Sequence, residues 1–86
     1  QIDMQLSDIN GQGARTCELG LVHYNTGDMN TAKKYLHQAL DIFKSLDLKD
    51  NIIFVLENLA SLAQTEGNSD EADELFQKVH SLRHGV

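Results

Sequence analysis

Residues 19–32 read LGLVHYNTGDMNTA, and forty positions later residues 59–72 read LASLAQTEGNSDEA. Leu19 meets Leu59, Gly27 meets Gly67 and Ala32 meets Ala72, while Gly20 faces Ala60 and Val22 faces Leu62. Carried outward, the same offset pairs Ile2 with Ile42 and Leu6 with Leu46, and sets Leu36 against Phe76, Ala39 against Val79 and Ile42 against Leu82. Five identities in 46 aligned positions carry weight because they fall at apolar, small and turn positions. A fixed period of this length marks a stacked repeat, in which each unit buries its hydrophobic faces only against its neighbours.

Each unit reads as two helices. Ala14, Cys17, Leu21 and Tyr24 recur at three- and four-residue intervals and so share one helical stripe. That helix ends near Gly27, since glycine takes the left-handed backbone that closes helices at little cost. Asp28 is then expected to cap a second helix carrying Ala32, Leu36, Ala39, Phe43 and Leu46 on one face. Residues Leu46 to Asp50 are expected to form the connection to the next unit. There Ile52, Leu56, Leu59 and Ala63 form the stripe, and Gly67 closes the helix. Asn68 and Glu71 have the spacing of a capping box for the last helix, whose apolar face holds Ala72, Leu75, Phe76, Val79 and Leu82. The units therefore fall at residues 10–48 and 49–86, and residues 1–8 read as the tail of a preceding unit's second helix. On that reading the chain is an excerpt from a longer array, with apolar surface open at its ends.

Composition agrees with an all-α chain and narrows its partners. No proline occurs in 86 residues, as expected where helix interiors dominate. The longest apolar run, Ile52 to Leu56, is far short of the ~20 residues that a membrane span needs. The single Cys17 excludes an internal disulfide and fits a reducing, cytoplasmic setting. Seven Lys and Arg against thirteen Asp and Glu give a net charge of −6. Glu57, Glu66, Asp70, Glu71, Asp73 and Glu74 fall in a stretch without any basic residue. Phosphate backbones and anionic membranes are held through clustered cations, so neither is expected as a partner. The acidic cluster at Asp70–Glu74 has a structural explanation, because carboxylates are favoured in the first turns of a helix.

The repeat resembles the tetratricopeptide family. The family's recurring positions are occupied by Leu19-Gly20, Gly27-Asp28, Ala32, Leu36 and Ala39, and again by Leu59-Ala60, Gly67-Asn68, Ala72, Phe76 and Val79. The likeness runs from Gly13 to about His84, and departs where the family's early Trp is replaced by Thr16 and Leu56, its Tyr by His23 and Ala63, and its Pro is missing. The period of 40 exceeds the usual ~34, which suggests a longer second helix and loop. The resemblance implies antiparallel helix pairs stacked as a right-handed α-solenoid.

It also implies a protein-binding scaffold, with a partner's peptide or helix lying in a groove lined by successive first helices. Carried over by position, the first unit presents Ala14, Cys17, Glu18, Leu21, Tyr24 and Asn25 there, and the second Phe54, Glu57, Asn58, Ser61, Gln64 and Thr65. Asn58 stands in a Leu56-Glu57-Asn58-Leu59-Ala60 run similar to long-repeat units whose Asn grips a bound backbone, and a carboxamide can satisfy a peptide unit both as donor and as acceptor. The competing reading makes Asn58 an ordinary solvent-facing side chain. A clamp for a C-terminal carboxylate is excluded, because Glu18 and Glu57 would repel it. The alternative role is architectural: a spacer or sensor arm of a larger regulator that self-associates through its end faces.

Catalysis is not expected. His80 and His84 share a helix face, but no Glu accompanies them as metal-dependent hydrolysis requires. Cys17 and His23, six apart, point to different sides of one helix. The sequence has no glycine-rich phosphate loop or paired-cysteine motif, and no cofactor is expected.

Overall fold

The computed structural model describes residues 6–85 as four helices: α1 (Leu6–Asn25), α2 (Met29–Ser45), α3 (Lys49–Thr65) and α4 (Ser69–His84). No described residue joins a strand. The chain is an all-α, tetratricopeptide-like helical repeat, with α1 packed on α2, α2 on α3 and α3 on α4.

Three turns of one design set this order. Gly27, Asp47 and Gly67 stand twenty residues apart and have φ of 88°, 55° and 84°. At each turn two amides reach back to the helix end. Gly27 N–H donates to the Tyr24 carbonyl (3.1 Å) and Asp28 N–H to that of His23 (2.9 Å); Asp47 and Leu48 do the same to Lys44 and Phe43 (both 3.1 Å), and Gly67 and Asn68 to Gln64 and Ala63 (3.0 and 2.8 Å). These paired bonds satisfy carbonyls that a helix end otherwise leaves open. The period of 40 is thus two steps of 20. The connection between units is three residues long, Leu46 to Leu48, and not the five expected. Leu48 takes the N-cap position and its carbonyl accepts from Ile52 N–H at 2.9 Å, so Lys49 and Asp50 begin α3.

Asp28 caps α2 as expected, its carboxylate accepting from Thr31 N–H at 3.3 Å. That hydrogen bond holds the Asp28 carboxyl below its ordinary pKa. The capping box at Asn68 and Glu71 does not form. Asn68 sits at the N-cap of α4 without a side-chain capping bond, and the charges of Asp70 and Glu71 in the first turn oppose the helix dipole instead.

Packing follows from which helices have neighbours on both sides. The α3 helix lies between α2 and α4 and buries Ile52, Ile53, Val55, Leu56, Leu59, Ala60, Leu62 and Ala63, a wider face than one stripe. The α1 helix meets α2 through Gly13, Cys17 and Gly20, all buried. A Cβ on Gly20 would lie 3.0 Å from Leu36 Cγ and 3.2 Å from the Ala32 carbonyl oxygen. The two backbones cross closely because the contact residues are small.

Equivalent positions differ where neighbours differ. Leu59 is 2% exposed, yet Leu19, forty residues before it, is 46% exposed. Leu59 faces the α2 side of α3, whereas α1 has no described helix on the matching side. Val22 (56%) and Leu62 (1%) repeat the contrast. Phe76, expected on the apolar face of α4, is 39% exposed for the same reason, while its counterpart Leu36 on α2 is fully buried. Of the segment read as a preceding unit's tail, residues 1–5 lie outside the described residues, and Leu6–Asp8 begin α1. Among the described residues, no helix is long and apolar enough to cross a membrane.

Candidate functional site

The α1 and α3 helices are equivalent by register, and the residues picked out by sequence lie on them. Their C-terminal ends are joined: Tyr24 Oη lies 3.1 Å from Thr65 Oγ1. Thr65 Oγ1 donates to the Ser61 carbonyl at 3.0 Å, so its proton is committed and Tyr24 is the donor between the two hydroxyls. Towards their N-terminal ends the two helices leave a recess of about 470 Å³ open to solvent. Ala14, Cys17, Glu18 and Leu21 of α1 face Asp50, Asn51 and Phe54 of α3 across it, and Phe43 of α2 closes its base.

The recess has an apolar lining and an acidic rim. Phe43 is 2% exposed and Cys17 4%, Leu21 is partly buried, and Phe54 is 49% exposed. Burial pushes the Cys17 thiol above its ordinary pKa, and Glu18 adds to the shift. A thiol held protonated is a poor nucleophile, so Cys17 acts here as a small apolar side chain.

A second recess of about 420 Å³ adjoins the first and shares Asp50 and Phe54 with it. Lys49, Ile53, Glu57 and Arg83 complete it, and Arg83 Nη2 donates to Glu57 Oε2 at 2.6 Å. Glu57 is therefore half of an ion pair and not a free anion. Asn58, partly buried, donates through Nδ2 to the Phe54 carbonyl at 2.8 Å. In this arrangement its carboxamide is turned to its own helix, and a peptide grip would need that bond exchanged. Asn25 and Gln64 are exposed near the C-terminal ends of α1 and α3 and line neither recess.

The structure thus brings Ala14, Cys17, Glu18, Leu21, Phe54 and Glu57 to two joined recesses, and Tyr24, Ser61 and Thr65 to the tie beside them. Sequence reasoning missed Asp50, Asn51 and Phe43. Asp50 had a legible signal, since Asp50, Phe54, Glu57 and Ser61 follow the four–three–four spacing of one helical stripe. Assigning Asp50 to a loop hid it. Arg83 arrives from α4, which no local pattern announces.

On the opposite face, a broader hollow of about 850 Å³ runs between α2 and α4 over Leu40, Ile52, Leu56 and Leu59. These floor residues are between 2% and 9% exposed, and the partly buried Leu75 and Leu82 of α4 add to the apolar lining. The His80 and His84 rings lie 4.3 Å apart between centroids, and no cluster of three metal-ligating side chains occurs among the described residues.

A family model described as tetratricopeptide repeat matches residues 14–83. No curated protein and no solved structure matches the chain.

Proposed function

This chain belongs to the tetratricopeptide repeat family, and from that premise we propose that the α1–α3 face receives an extended segment or a helix of a partner protein. Repeats of this family mediate protein–protein interactions and are typically non-catalytic. The observation that carries the proposal is the recess between the register-equivalent α1 and α3, joined to a second one between α3 and α4, with the exposed Phe54 standing in both. An aromatic side chain half in water is an anchor point for a partner, because covering it removes apolar surface from solvent. Glu18, Leu21, Phe54 and Glu57 form the contact surface, while Asn58, Ser61 and Gln64 extend it along α3. Tyr24 and Asn25 continue it at the far end of α1. A net charge of −6 makes nucleic acid and anionic membranes poor alternatives, and the reduced Cys17 suits a cytoplasmic setting.

Titrating partner-derived peptides against the chain and its Phe54→Ala, Tyr24→Ala and Asn58→Ala variants tests this reading. Phe54→Ala is expected to weaken binding at least tenfold, in line with loss of a central aromatic anchor (about 1.4 kcal/mol or more). Unchanged affinity in all three variants would remove the binding site from this face.

A second reading rests on Leu19, Val22 and Phe76, large apolar side chains 39–56% exposed on the outer sides of α1 and α4. Through these faces copies of the chain stack end to end. Light scattering that shows a monomer at every concentration would end this reading and leave the first untouched.

A further inference from the structure

Resting on the groove reading above, we infer that the occupant of the α1–α3 recess is a segment in which a large apolar side chain stands next to Lys or Arg. The inference comes from an asymmetry between the two recesses. The first is lined by apolar Ala14, Cys17, Leu21, Phe43 and Phe54, and its only charged lining groups are the carboxylates of Glu18 and Asp50. One comes from α1 and the other from α3, so a side chain entering the recess meets carboxylates contributed by both helices. The second recess carries Lys49 and Arg83 beside Asp50 and Glu57, with Arg83 paired to Glu57 at 2.6 Å, and so favours neither sign.

Apolar area and charge therefore act at the same spot. A Leu, Phe or Trp entering the first recess covers the exposed ring of Phe54 and the side chain of Leu21. A neighbouring cation then reaches Glu18 or Asp50 and can also lie against the negative face of the Phe54 ring. An acidic neighbour meets two carboxylates with no lining cation to offset them. Phe54 gives affinity and the carboxylates give sign, as charge arrangement across an interface usually does. The recess is a discriminating site and not a general apolar slot.

The test uses three short peptides that share one central Trp, flanked by two Lys, two Gln or two Glu. The chain has no Trp, so the fluorescence of the peptide reports binding without background. Amide shifts at Leu21 and Phe54 report where it binds. The Lys peptide is expected to bind roughly two- to fivefold tighter than the Gln peptide for each carboxylate engaged, and the Glu peptide weakest. High salt shrinks the order, and Glu18→Gln, a change at an exposed position, reduces it by about half. Binding of all three peptides at Leu21 and Phe54 with equal affinity, or in the reverse order, would overturn this inference and leave the groove reading standing. Shifts confined to residues away from α1 and α3, with affinities insensitive to Phe54→Ala, would overturn both.

Discussion

Tyr24 and Thr65 stand 41 positions apart in sequence and 3.1 Å apart through their hydroxyls. Each is at or near the last turn of its helix, and each helix belongs to a different repeat. The bond therefore fixes how the first helices of successive units converge, and sets the width of the recess at their other end. Because Thr65 also bonds the Ser61 carbonyl, the contact depends on both side chains keeping one rotamer.

Removing that tie is expected to loosen the repeat junction without unfolding it. Tyr24→Phe keeps the ring and deletes the donor, and Thr65→Ala deletes the acceptor. In urea denaturation each is expected to cost ~0.5–1 kcal/mol, with a coupling of about 0.5 kcal/mol in the double-mutant cycle. Strict additivity would show that the two hydroxyls do not interact in solution.

Leu19 and Leu59 share a register position and are expected to respond differently to truncation. Leu59→Ala opens a cavity in a nearly closed environment and should cost ~3 kcal/mol. Leu19→Ala, on the open side of α1, should stay within about 0.5–1 kcal/mol. Equal losses in thermal or chemical unfolding would mean that the outer side of α1 is covered in solution.

The three matching turns differ at the left-handed position, and that difference is testable. Asp47 occupies at φ 55° the place that Gly27 and Gly67 occupy at 88° and 84°. Asp47→Gly is expected to stabilise the chain by about 0.5–1 kcal/mol, because it relieves a left-handed backbone that L-residues disfavour. Gly67→Ala, with open space around its Cβ but φ of 84°, is expected to destabilise it by ~1 kcal/mol. A melting point lowered by Asp47→Gly would contradict the turn geometry.

Lys33 Nζ lies 2.9 Å from Glu66 Oε1, tying α2 of one unit to the end of α3 in the next. Hydrogen bonding to Glu66 raises the Lys33 pKa above its ordinary 10.5. A cation with a raised folded pKa contributes its stabilisation fully below the unfolded value and loses it as pH climbs through the folded one. Lys33→Met should accordingly lower stability at neutral pH by ~0.5 kcal/mol, and the gap to the parent chain should close as pH rises through the raised Lys33 pKa. A gap that persists at high pH would assign the loss to packing and not to charge.

Cys17 offers a readout of the recess itself. It is 4% exposed and its thiol is shifted upward by burial, then by Glu18. Alkylation in the native state at pH 8 is expected to be at least ~100-fold slower than in the urea-unfolded chain, since only opening of the α1–α2 contact exposes a reactive thiolate. Rapid native-state labelling would show that α1 detaches from α2.

The fold was legible because its signals are local and periodic. The turn glycines at 27 and 67, the Asp28 cap and the apolar stripes of α2 and α3 all lie within a few residues of what they determine. What escaped notice depended on partners distant in sequence. Asp47 concealed the third turn because its left-handed backbone is forced by the helices on either side and not by a glycine. Leu40 lies off the expected stripe of α2 and is nonetheless only 6% exposed. The groove positions were readable as a stripe, but their chemistry was not. Glu57 looked like a free anion until Arg83 arrived from α4, and Asn58 looked free to bind until its bond to Phe54 was placed. Periodicity tells which side of a helix a residue occupies, and the neighbour across the gap decides what it can do there.

Extensive contacts run only between successive helices, so α1 and α3 are held mainly through α2 and the hydroxyl tie at one end. In mechanical terms the pair is a hinge with a thin clasp. On the proposed function, a segment wedged between α1 and α3 would act as a strut on that hinge. A short bound segment would then stiffen the angle between the two units, so that occupancy of the groove is read as their relative orientation.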